Sequence, residues 1–151
     1  VILYSFDPGK TTGFAKWILD DGGKNDFTMP VSFGELSIVQ LYKFLDDLTW
    51  DEVVNDIAFI YENYRIRNNP KHRGFNHQWN TGDTLRVIGA IEFRAYQMQI
   101  PIHSQEPNVR SVGAGFSGLA HDPNKHDKDH ISAMKHGYYY MVKSGKMKPR
   151  E

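Results

Sequence analysis

The chain has 151 residues, 40% of them hydrophobic and 24% charged, which is enough for one domain with its own core and unlike a disordered segment. Eighteen Lys and Arg balance eighteen Asp and Glu, so a broadly basic nucleic-acid-binding surface is disfavoured, although a local patch is not. With no cysteine, disulfides, thiolate nucleophiles and cysteine zinc sites are excluded, and no apolar run approaches a membrane span.

The apolar run 1–6, VILYSF, predicts a strand ending near Asp7. DPGKTTG (7–13) reads as a turn, 14–19 as a second strand, DDGGKND (20–26) as a loop and 27–34 as a third strand. Leu41, Phe44, Leu45 and Leu48 form an apolar stripe that predicts a helix over 36–49. The core of DIAFIYENY (56–64) is a buried-strand signal ending at Glu62. Residues 65–81 are polar, basic and turn-rich, and a helix is predicted over 82–98. A short strand falls within 99–107, and the glycine-rich stretch 108–128 reads as a mobile or partner-ordered loop. The final helix covers 129–142, weakened at Gly137 by roughly 1 kcal/mol relative to Ala, and the basic tail after it is expected to fray. Hairpin strands followed by strand–helix units imply a single α/β domain, 1–151, with a mixed sheet and helices packed on it.

Gly9-Lys10-Thr11 suggests a nucleotide loop, but a Walker motif needs a glycine five positions before Gly9, where Tyr4 stands. The segment after Thr12 also reads as strand, whereas that motif must open a helix. A carboxylate at a strand end, with Pro8-Gly9 turning the chain behind it, accounts for more residues; a plain hairpin turn capped by Asp7 is the bland alternative. Glu62 ends the other buried strand, where its charge is costly without a partner; an edge position paired to Arg65 or Arg67 would also satisfy it. Parallel pairing of the two strands would set Asp7 and Glu62 side by side.

A third acid comes from KHDKDHISAMKHG (125–137). His126 lies three residues before Asp129, and Asp129, Ala133 and His136 continue one helical face, although Asp129 is also placed as an ordinary helix cap. Asp127, His126 and His130 have a solvated-loop alternative. Acids converging from two strand ends and a helix start suit Mg²⁺, with Mn²⁺ substituting. Two such ions roughly 3.5–4 Å apart would activate water for phosphoryl transfer.

With these residues in view, the chain resembles the RuvC-like Holliday-junction resolvases of the ribonuclease H-like nucleases. SFDPGKTTGFA resembles the family's first-strand segment and IYENY its strand-ending glutamate. RVIGAIEFRAYQMQIPIHSQEPNVR resembles the helix and strand that follow, and HDKDHISAMKHGYYY the C-terminal helix. The resemblance implies a mixed five-stranded sheet flanked by helices, with Asp7, Glu62, His126 and Asp129 catalytic. It implies two metal ions held by Asp7, Glu62 and Asp129, with Asp127 a second choice at that corner. It further implies a homodimer in the cytoplasm that cuts four-way DNA junctions to 5′-phosphate and 3′-hydroxyl ends.

The neutral charge departs from that family. Local DNA contacts are therefore expected from Arg65, Arg67, Lys71, Arg73 and Arg110, with Phe75 and Trp79 stacking on exposed bases; a solvated loop is the alternative. A phage terminase-type nuclease, a ribonuclease H-type nuclease and a non-catalytic junction-binding protein are the competing functions.

Overall fold

The computed structural model describes residues 1–48, 56–64 and 75–151, with backbone alone over 75–80. Five strands form one sheet: β1 (Ile2–Asp7), β2 (Thr11–Ile18), β3 (Ser32–Ser37), β4 (Ile57–Glu62) and β5 (Ile102–Gln105). Their spatial order is β3-β2-β1-β4-β5. β1 pairs antiparallel with β2 and parallel with β4, and β5 runs parallel to β4, so the sheet is mixed, as expected. Four described helices flank it: α1 (Ile38–Asp46), α2 (Phe75–Met98), α3 (Val109–Ser117) and α4 (Asp129–Lys143). This is the ribonuclease H-like α/β architecture. Among the described residues no helix is long and apolar enough to cross a membrane.

The central strand explains the layering. Alternate residues of a strand face opposite ways, and β1 is apolar or small on both sides. Tyr4 and Phe6 join Phe59 in a cluster with Leu41 and Leu45 of α1 and Val87 and Ile91 of α2. Leu3 joins Ile60, Ala15 and Trp17 in a second cluster with Met134, Tyr138 and Met141 of α4. Each fully buried side chain of this kind is worth about 1.5–3 kcal/mol of transfer free energy, so both faces demand a helical cover.

Local chemistry sets the element ends. Ser37 caps α1 in a reciprocal box, accepting from the Gln40 backbone N–H while the Gln40 side chain accepts from the Ser37 N–H. Arg94 of α2 reaches the carbonyls of Leu45 and Leu48 at 2.8 and 2.9 Å, satisfying acceptors in the last turn of α1 and just beyond it. Helix α2 stops at Gln99, in the left-handed region at φ 56°, with Pro101 just beyond it.

Several boundaries differ from the sequence reading: α1 covers 38–46, not 36–49, since β3 runs on to Ser37, and α2 begins at Phe75, inside the stretch read as turn-rich, not at 82. β2 begins at Thr11, not 14, because Asp7 already pairs across to Gly13 and leaves only a tight turn between the strands. β3 lies at 32–37 instead of 27–34, since Phe27 stacks on Tyr138 and Pro30 has no N–H to give a ladder. The stretch 108–128 is not all loop: α3 occupies 109–117, and its Gly113 serves a contact. A Cβ on Gly113 would overlap the Lys135 carbonyl, so the missing side chain lets α3 lie directly against α4. The C-terminal tail does not fray, because Met147 is fully buried and the Lys148 and Arg150 N–H groups donate to Asn25 and Phe116 carbonyls.

Candidate functional site

The register of β1 and β4 sets Phe6 opposite Tyr61, so one step further Asp7 and Glu62 stand together at adjoining strand ends. Gly13, opposite Asp7 on β2, brings in the third acid. A Cβ there would overlap the Asp129 carbonyl, so the start of α4 lies on this glycine. Asp129 is the first residue of α4 and Lys128 its N-cap; the cap role open to Asp129 in the sequence is not the one it takes.

Glu62 is heavily engaged. Its Oε2 accepts from Ser132 Oγ at 3.3 Å, lies 2.7 Å from His136 Nε2 and forms an ion pair with Arg110 Nε at 3.5 Å. His136 is fully buried, and its other ring nitrogen meets Gln105 Oε1 at 2.8 Å, which fixes the ring between β4, β5 and α4. Burial works against charge on Glu62, but His136, Arg110 and Ser132 together hold its carboxyl below the usual range.

Asp7 goes the other way. Burial first, then the Glu62 charge and more weakly Asp129, push its carboxyl up to about 8; Ser132 and Arg110 offset this only in part. Asp129 is also raised, by burial and then by Glu35, with His130 opposing. A carboxyl poised near neutrality can exchange a proton during a reaction at working pH.

The expectation of bound Mg²⁺ is corrected. Among the described residues no group of three or more His, Cys, Asp or Glu side chains could hold a metal ion. The acids are close enough to sense one another's charge, but they are directed to different partners. Glu62 serves His136, Ser132 and Arg110, while Asp129 senses Glu35 and His130 on the β3 side. Asp127 is bound through both oxygens by Lys135 at 2.8 Å. These side chains do not fit a two-ion centre.

His126 is exposed and lines a cleft of about 450 Å³ between α3 and residues 121–127, which Arg110 shares. Arg110 therefore links Glu62 to the cleft, and its Nε also donates to the Pro107 carbonyl at 3.2 Å. Arg65, Arg67, Lys71 and Arg73 lie outside the described residues, and Phe75 and Trp79 are described only as helical backbone. Ser132, His136 and Lys135 were not among the expected site residues. The spacing 129, 132, 136 already placed the first two on the Asp129 face of α4; nothing local distinguished Lys135 from a solvated lysine.

No protein-family model and no curated protein matches the sequence. Solved structures share its fold. Thermus thermophilus RuvC in complex with Holliday junction substrate superposes with a TM-score of 0.61 at 10% identity, covering 99% of this chain and 100% of that one. A second Thermus thermophilus RuvC structure gives 0.55 at 12% identity, with the same coverage. At such identities the likeness is one of fold.

Proposed function

We propose that this chain is a nuclease that hydrolyses phosphodiester bonds in branched DNA, four-way junctions first among them. The observation that carries the reading is the meeting of Asp7 and Glu62 at adjoining parallel strand ends, with Asp129 brought over Gly13. The shared fold with a structure containing a Holliday junction supports the substrate class. Symmetric cutting of such a junction requires two sites, so the reading includes a homodimer.

In this mechanism water attacks phosphorus in line with the 3′ oxygen, the water proton passes to ionised Asp7, the P–O3′ bond breaks, and the departing 3′ oxygen takes a proton from solvent. The products carry 5′-phosphate and 3′-hydroxyl ends. Arg110 offsets charge building on the non-bridging oxygens, and His136 holds Glu62 in place.

An end-labelled four-way junction, a linear duplex and an RNA–DNA hybrid, each incubated with wild type and Asp7→Asn, test the reading. Junction cutting should fall about 10²–10⁴-fold in the variant, the usual worth of general acid–base catalysis, while binding persists. Because Asp7 must be ionised to take the proton, the wild-type rate should rise with pH and level off above about 8. Preferential cutting of the duplex or the hybrid would replace the substrate class by the terminase or ribonuclease H type.

A second reading, junction binding without turnover, is favoured by one finding: Glu62 is engaged by protein groups, and among the described residues the site acids form no metal-holding group. Tight junction binding with no cutting under any divalent-ion condition would establish it over the first.

A further inference from the structure

Lys135 is fully buried, and the chemistry proposed above does not use it. Its neighbour His136 faces Glu62 at the sheet end. One residue back is about 100° round a helix, so Lys135 is turned to a different region, the 121–127 segment. Its Nζ lies 2.8 Å from both carboxylate oxygens of Asp127 and 3.2 Å from His121 Nδ1. An ammonium has donors and no acceptor, so His121 Nδ1 must accept, and the ring is held with its proton on Nε2. Helix α3 closes the other side, packed through Gly113 onto the Lys135 carbonyl.

The consequence falls on the cleft in front. Arg110, His121, Lys125 and His126 line it together with two acids, Asp122 and Asp127, while Lys135 lies behind the lining. Asp127 is paired through both oxygens with Lys135, whereas exposed Asp122 accepts the Asn124 N–H at 2.9 Å with one oxygen within its own turn. The guanidinium of Arg110, whose Nε is already engaged by Glu62 and the Pro107 carbonyl, the ammonium of Lys125 and the Nε2–H of His121 are all donors, and donors lining one recess suit a tetrahedral oxyanion. We infer that Lys135 is a positioning residue that makes this cleft a phosphate-binding site, by neutralising Asp127 and setting His121 as a donor. The site does not depend on the nuclease reading, since a phosphate binds there whether or not a phosphodiester is cut.

The test is nitrogen-15 NMR of the histidine rings in the full chain, for wild type, Lys135→Met and Lys125→Ala. Each is titrated with inorganic phosphate and with the dinucleotide phosphodiester TpT. Wild type is expected to show His121 as the Nε2–H tautomer, with ring shifts that saturate on adding a probe. Saturation by TpT alone assigns the site to nucleic-acid phosphate, by inorganic phosphate alone to the free anion, and by both to the shared group. Lys135→Met should give a mixture of His121 tautomers, and its loss of affinity should be about tenfold, roughly one charge-assisted hydrogen bond. Lys125→Ala, with the buried pair intact, should keep the tautomer and lose affinity, and it carries the test if Lys135→Met does not fold. A His121 proton on Nδ1 in wild type, an unchanged tautomer in folded Lys135→Met, or no saturable shift with either probe would overturn the proposal. None of these readouts involves DNA cleavage, so a failed nuclease assay leaves this result intact, and the reverse.

Discussion

Lys135 and His136 are neighbours on α4, both fully buried and each holding a carboxylate, yet they serve regions of opposite electrostatic character. Behind the cleft the charges match one to one: a single ammonium against both oxygens of Asp127. At the sheet end they do not match, because Glu62 collects three partners while Asp7 beside it is driven up to about 8. A balanced buried pair works as a fastener. An unbalanced group of acids costs stability, and that residual repulsion tunes a carboxyl toward proton transfer.

The largest expected effect tests the fastener. Asp127→Ala leaves Lys135 buried without its counter-ion, and chemical denaturation should show a loss of about 3–5 kcal/mol. A loss near that of a surface pair would mean that the segment opens freely and the two regions do not differ as described.

Next comes Gly137, on the same helix. Helix propensity alone predicts that Gly137→Ala stabilises by roughly 1 kcal/mol. In the fold a Cβ there would overlap the Trp17 ring, so destabilisation by about 1–3 kcal/mol is expected, read from the unfolding midpoint. A gain would show that α4 can lift from the sheet, and with it Asp129 and His136.

The last effect has the opposite sign and sharpens the contrast most. The folded chain keeps a proton on Asp7 that the unfolded chain loses above its ordinary value of 3.8. The stability this group contributes is therefore fully present below 3.8 and is lost as pH rises through about 8. Asp7→Asn carries no charge to bury, so above about pH 8 it should melt a few degrees higher than wild type. In acid the two should melt together. Thermal melts across pH would thus show one carboxylate whose removal stabilises and another, Asp127, whose removal destabilises.

Legibility in the sequence followed burial. VILYSF and DIAFIYE are apolar on both faces, and both strands were placed to within a residue, including the acids that end them. The stretch 108–128 was misread because its glycines suggest freedom when taken alone. Gly113 is instead the place where two helices meet, and the missing atom matters only once Lys135 lies opposite. The metal expectation failed for a related reason. Residue type and spacing predicted acids in one neighbourhood, but which partner each carboxylate takes depends on side chains far off in the chain, such as His136 for Glu62.

By itself, then, the sequence determined the layering of an α/β domain and the ends of its two central strands, since period and polarity act locally along a chain. The tertiary structure alone decided that Gly13 seats α4, that Lys135 is buried and paired, and that Asp7 and Glu62 titrate in opposite directions. Those outcomes depend on distances between segments, because burial and Coulomb interaction are set by what lies across the fold rather than by what lies next in the chain.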